Sequence, residues 1–211
     1  MRAALPDAFL NAVTDLGDSA ILLPLALLAG VCLTLLGWRR SAVVLALAVG
    51  ATGAVIGGLK ILLRGCAPIL HSPSGHTALS VVTFGLLAAV FAKGLGRLPA
   101  ALISLATALL VAGIAVSRVL LEAHSWQEVV AGGLVGCGIL ALALRRLGPE
   151  PPLRLSWLLV ACLLPVVLLH GQRLPTEEML AHLSTLLSRH PLACPTAPLV
   201  AGREERSEAK P

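Results

Sequence analysis

Charge is scarce in this chain. Asp, Glu, Lys and Arg make up 13% of its 211 residues against 57% hydrophobic residues, and the mean hydropathy is +0.90. That balance excludes an ordinary soluble exterior and makes every ionisable side chain beside a long apolar run a candidate functional group. The N-terminus lacks the signal-peptide order of basic region, short apolar core and small-residue cleavage site. Asp7, Asp15 and Asp18 precede the first apolar run instead, which predicts a retained segment. The five cysteines lack metal-ligand spacing: Cys32, Cys137 and Cys162 fall inside apolar runs, where cysteine acts as a small apolar residue. Cys66 and Cys194 fall on what the topology below makes the outer, oxidising side, which leaves a disulfide between them open. No internal repeat is found.

What is present is a series of apolar runs, most of them near the length that crosses about 30 Å of hydrocarbon at about 1.5 Å per helical residue. Six are read: Ala20–Trp38, Ser41–Leu63, Thr77–Lys93, Leu98–Leu121, Trp126–Leu144 and Leu155–His170. The expected fold is all-α, a polytopic membrane protein built as a six-transmembrane-helix bundle. Residues 1–19 read as an N-terminal surface helix, 20–170 as the transmembrane domain, 171–190 as an interfacial amphipathic helix and 191–211 as a disordered tail. Gly53 and Gly57, and Gly132 and Gly136, are small residues four apart, the spacing that lets helices approach closely in lipid.

The net charge of +5 does not mark a nucleic-acid binder, because the cations sit in short connections. Arg39 and Arg40 follow the first run, Lys93 and Arg97 the third, and Arg145, Arg146 and Arg154 the fifth. The positive-inside rule turns those loops to the cytoplasm and both termini outward. Lys60, Arg64 and Arg118 break the rule by falling on the outer side. Helix rise explains their company: Arg40 to Lys60, Arg97 to Arg118, and Arg145 back to His124 each measure about 30 Å. Ser74, Gly75 and His76 enter the third run at the same edge. Residues from four different runs therefore share one layer.

The chemistry of that layer suits phosphoryl transfer. A glycine at a helix start lets backbone N–H groups approach an anion. Lys60 and Arg118 supply positive charge, Arg118 with a two-pronged donor. His124 and Glu128, four apart on a helix, share a face, so Glu128 can hold one ring nitrogen and leave the other to attack. His76 is then the acid for the leaving oxygen. Singly, each residue has a plainer explanation. Ser72-Pro73-Ser74-Gly75 is a competent turn, Ser125 with Glu128 fits a capping box, and Lys60 or Arg118 alone could anchor at headgroups. His71, His170, His182 and His190 have no partner motif and read as loop or interface residues.

The joint pattern resembles the type 2 phosphatidic acid phosphatase family, related to bacterial acid phosphatases and vanadium haloperoxidases. That family's pattern is Lys-x6-Arg-Pro, Pro-Ser-Gly-His and Ser-Arg-x5-His-x3-Asp. Pro73-Ser74-Gly75-His76 matches the second element and Ser117-Arg118-x5-His124 most of the third. The resemblance implies a phosphohistidine on His124, protonation of the leaving group by His76, phosphate contacts from Lys60, Arg118, Ser74 and Gly75, and no cofactor or metal. It further implies a lipid phosphate or diphosphate substrate in the outer leaflet of a bacterial inner membrane: phosphatidic acid, phosphatidylglycerol phosphate or undecaprenyl diphosphate. The chain departs from the pattern twice. Ala67 stands where the first motif has arginine, and Glu128 where the third has aspartate.

Two other classes compete. A transporter should carry charges deep within its runs, which here are almost free of them. A catalytically silent member of the same fold, acting as a lipid-binding or assembly protein, fits the loss at Ala67. Arg64, one turn beyond Lys60, is a possible extra cation that offsets that loss. If it does, Arg64→Ala lowers turnover; unchanged turnover removes Arg64 from the site.

Overall fold

The computed structural model describes residues 7–66, 72–149, 155–172, 174 and 176–188. They form eight helices: α1 (Asp7–Asp15), α2 (Ser19–Leu35), α3 (Arg39–Cys66), α4 (Gly75–Ala92), α5 (Arg97–Leu120), α6 (Trp126–Leu144), α7 (Leu155–Leu169) and α8 (Thr176–Ser188). No strand occurs among the described residues. The chain divides into two units, Met1–Ile56 with Pro73–Leu174, and Gly57–Ser72 with Pro175–Pro211.

Among the described residues five stretches are long and apolar enough to cross a membrane: Asp7–Leu35, Arg39–Leu63, Gly75–Ala92, Arg97–Leu120 and Trp126–Leu144. The all-α, polytopic expectation holds; the count of six does not carry over. The sixth run is realised as α7, whose 15 residues rise about 22 Å, short of a hydrocarbon core of about 30 Å. The sidedness of the surface is that of a protein solvated by lipid. Leu27, Leu47, Leu98, Leu134 and Val167 all point outward, two-thirds or more exposed. Some hydroxyls within the helices are satisfied locally, as where Thr52 Oγ1 donates to Ala48 O at 2.7 Å. Cys66 and Cys194, and the tail from residue 189, lie outside the residues whose side chains are described.

In the larger unit α4 is central, packing most extensively on α6 and α5, while α7 lies along α2. The core gathers Leu25, Ala29 and Leu33 of α2, Ala42, Leu45 and Val49 of α3, and Val82, Leu86 and Val90 of α4. One end of this unit is knitted by its basic residues. Gly37, at φ +86°, ends α2 with Trp38 N–H donating back to Leu33 O at 2.7 Å, a paired turn that buries the Trp38 ring. Lys93 Nζ lies 4.9 Å from the centroid of that ring and donates to Gly148 O at 2.9 Å. Arg40 Nε donates to Arg146 O at 2.6 Å. The α2–α3, α4–α5 and α6–α7 connections are thus tied together.

The other end is set by α4 against α6. A Cβ on Gly132 would strike the carbonyl oxygen of Ser74 and stand 3.0 Å from its nitrogen; one on Gly136 would come within 2.9 Å of Ala78 O and Val81 Cβ. These glycines, four apart, are where the two backbones touch. The other expected pair differs: a Cβ on Gly53 would meet nothing among the described residues, and within the smaller unit one on Gly57 would make only an ordinary contact with Leu180, at 3.7 Å. Glycine spacing alone does not reveal which helix face carries a neighbour. The start of α6 is a full capping box. Ser125 Oγ accepts from Glu128 N at 3.3 Å, and Glu128 Oε2 accepts from Ser125 N at 2.8 Å.

Two outcomes follow. Gly132→Ala and Gly136→Ala each lower stability in detergent by about 1–3 kcal/mol through overpacking, while Gly138→Ala, with open space at its Cβ, leaves the melting temperature nearly unchanged. Ser125→Ala costs about 1 kcal/mol through the lost cap and Ser125→Thr much less, readable in the same thermal scans.

Candidate active site

The seam between α4 and α6 brings two sequence motifs to one end of the larger unit. Ser74 N–H donates to Glu128 O at 2.8 Å, so the turn that begins α4 is hydrogen-bonded to the first turn of α6. Ser74 is completely buried. Its hydroxyl caps α4, accepting from Thr77 N at 3.5 Å and from Thr77 Oγ1 at 3.2 Å. The first amides of α4 beyond it, those of Gly75 and His76, have no intrahelical acceptor. Ser74, expected as a phosphate contact, holds the turn as the cap of α4.

His124 enters from the connection between α5 and α6. Its backbone N–H and that of Ala123 both donate to Arg118 O, at 3.1 and 3.0 Å, which closes Leu121–Ser125 into a compact turn. Glu122 takes the left-handed conformation there, at φ +54°. The His124 ring then meets Glu128: Nδ1 lies 3.1 Å from Oε2, with the two side chains 6% and 17% exposed. The same carboxylate oxygen completes the capping box, so one atom both starts the helix and orients the ring. Nδ1 is thus the ring nitrogen that the carboxylate engages.

Arg118 occupies the last turn of α5, above a buried Ser117 whose hydroxyl donates to Ile114 O at 2.7 Å. Its Nη1 donates to Thr14 Oγ1 at 3.4 Å. His76 presents Nε2 to Asp18 Oδ2 at 3.2 Å. The structure therefore assembles His76, His124, Glu128, Arg118, Ser74 and Gly75 on helix ends of one unit. Lys60, near the end of α3, is 1% exposed. The Arg64 side chain lies outside the described residues.

Asp18 and Thr14 were not singled out by the sequence reading. Neither belongs to a motif, and each reaches its partner across a long separation in the chain, 58 residues for Asp18 and 104 for Thr14. The depth ruler was sufficient to find Asp18: counted outward from Arg39, it stands about 30 Å away along a helix, in the same layer as the other residues.

Among the described residues no group of three His, Cys, Asp or Glu side chains has the arrangement of a metal site. His76 lies in the first turn of α4, His124 just before the start of α6, and Arg118 in the last turn of α5.

Comparison with known proteins agrees with this geometry. The chain is 35% identical over 194 residues to an uncharacterised 22.5 kDa protein in the cps region of Klebsiella pneumoniae, covering 82% of this chain and 88% of that one. No solved structure matches. The family model described as the PAP2 superfamily matches residues 66–150, which hold Pro73–His76, Ser117, Arg118, His124 and Glu128, and the chain belongs to that superfamily.

Proposed function

We propose that this integral membrane protein is a phosphatase that hydrolyses a lipid phosphate or diphosphate in the outer leaflet, through a phosphohistidine on His124. The observation that carries this reading is the Glu128 Oε2–His124 Nδ1 contact at 3.1 Å, on a helix start bonded directly to Ser74. It supports a ring held in one orientation with Nε2 directed to chemistry. Nε2 attacks phosphorus as the bond to the leaving oxygen breaks, and His76 gives that oxygen a proton. Water then attacks the phosphohistidine, His76 takes a proton from it, and phosphate leaves with His124 regenerated. Arg118 and the amides of Gly75 and His76 stabilise the charge on the transferring group. On the strength of the sequence pattern, Lys60 is a second cation for the same purpose.

A lipid substrate is supported by a cleft of about 570 Å³ between α4, α5 and α6, lined by Thr77, Val81, Gly85, Val111, Gly133 and Cys137 among others. Thr77 and Val129, at one end of it, are the sequence neighbours of His76 and Glu128, and the remaining lining is almost wholly apolar. A phosphate at the helix ends and an acyl or isoprenoid chain along this cleft is the arrangement an amphiphile requires. The gathering of Arg40, Lys93 and Arg146 at the other end supports a cytoplasmic placement for that end and a periplasmic one for the site.

Purified protein in detergent with a chelator, assayed against phosphatidic acid, phosphatidylglycerol phosphate and undecaprenyl diphosphate, tests the reading. Wild type releases phosphate from at least one, and His124→Ala falls by about a thousandfold or more. Sealed spheroplasts turn over substrate supplied from outside. Turnover abolished by the chelator, or undiminished in His124→Ala, overturns the mechanism. A phosphoenzyme that cannot be trapped with any substrate points instead to a silent, lipid-binding member of the fold.

A further inference from the structure

The larger unit holds a second imidazole–carboxylate pair, approached from the N-terminal helices. His76 Nε2 and Asp18 Oδ2 are 3.2 Å apart, with their side chains 14% and 6% exposed. The two oxygens of Asp18 have different tasks. Oδ1 caps α2, accepting from Ala20 N at 2.8 Å, and accepts from Leu174 N at 3.4 Å. Oδ2 is thereby aimed at the ring.

The turn that carries Asp18 is pressed against the helices of the site. A Cβ on the preceding residue, Gly17, would stand 2.5 Å from Ile114 Cγ2 of α5 and 3.0 Å from Ser80 Oγ of α4. Ser80 lies one helical turn from His76 on the same face of α4. Asp18 is thus fixed at both ends, by the cap of α2 and by a turn that tolerates no side chain at Gly17. One turn earlier, Thr14 Oγ1 accepts from Arg118. The α1–α2 segment therefore touches both His76 and Arg118.

We propose that Asp18 is a positioning residue for His76, fixing a proton on Nε2 and presenting Nδ1 to the leaving oxygen. The inference rests on the reading of His76 as the leaving-group acid. In the charged ring, Nε2–H donates to Asp18 Oδ2 while the Nδ1 proton passes to the leaving oxygen as its bond to phosphorus breaks. The neutral ring that results keeps its hydrogen on Nε2, so the Nδ1 lone pair is ready for the proton of the attacking water. Asp18 exchanges no proton; it selects the tautomer and holds the ring plane.

The test is the dependence on the leaving group. Asp18→Asn retains a good cap for α2 but offers His76 an N–H where it had an acceptor. With dodecyl phosphate, whose alkoxide must be protonated, kcat/KM falls at least tenfold, toward the roughly 10²–10⁴-fold that a general acid contributes. With para-nitrophenyl phosphate, whose leaving group needs no proton, it changes less than about threefold. Asp18→Ser, which caps but cannot reach the ring, gives the same split. In a His76→Ala background, Asp18→Asn adds no further loss on dodecyl phosphate, because the two act as one unit.

Equal losses on both esters in either variant, or an undiminished additional loss without His76, overturn the proposal while leaving the phosphatase reading intact. A His124→Ala protein as active as wild type on both esters overturns the phosphatase reading and this inference with it.

Discussion

The contact on which the site depends is the one between the Ser74 backbone and α6. Gly132 leaves room for the Ser74 carbonyl, and the Ser74 N–H closes on Glu128 O at 2.8 Å. Without that approach, the turn bearing His76 and the helix bearing Glu128 would be separated by at least a methyl group. In lipid there is no hydrophobic drive to hold two helices together, so close packing and buried hydrogen bonds must do it. The glycine seam therefore determines more than helix spacing, because it is also what brings the two motifs into register.

The rest of the larger unit is organised around keeping polar groups at the two ends. At the basic end, Arg40 and Lys93 donate to carbonyls of the α6–α7 connection. At the other end the helices begin at side-chain caps: Asp18 begins α2, Ser74 begins α4, and Ser125 with Glu128 begins α6. All four of these capping residues touch, or lie within two residues of, an imidazole proposed for chemistry. Functional side chains at helix starts inherit rigidity from the hydrogen bonds that those starts require anyway.

Much of this was legible in the sequence. Apolar runs gave the helices, because the bilayer sets a length that residues must match. The motif residues from Pro73 to Glu128 were legible from their spacing, and the pairing of His124 with Glu128 because the two lie one helical turn apart. What escaped was contact across long separations. Asp18 looked like a charge preceding a span, and only the fold shows that it reaches His76. Gly53 and Gly57 shared the spacing of Gly132 and Gly136, yet only the latter pair meets backbone. A spacing records which face a residue lies on, and cannot record what lies opposite. The last apolar run, Leu155–His170, was legible to within one residue of the helix it forms, Leu155–Leu169.

Glu128 Oε2 serves two masters, accepting from the Ser125 amide and facing His124 Nδ1. The PAP2 pattern places aspartate here, whose carboxylate is one methylene closer to the main chain, whereas the reciprocal bond back to the cap favours glutamate or glutamine. The exchange thus merges what could be two separate adaptations into one. A mutational path that shortens residue 128 gives up part of the helix's nucleation as it changes the reach to the ring, and a path to glutamine keeps the nucleation but surrenders the charge. Either exchange at residue 128 therefore disturbs the helix start or the partner of the ring.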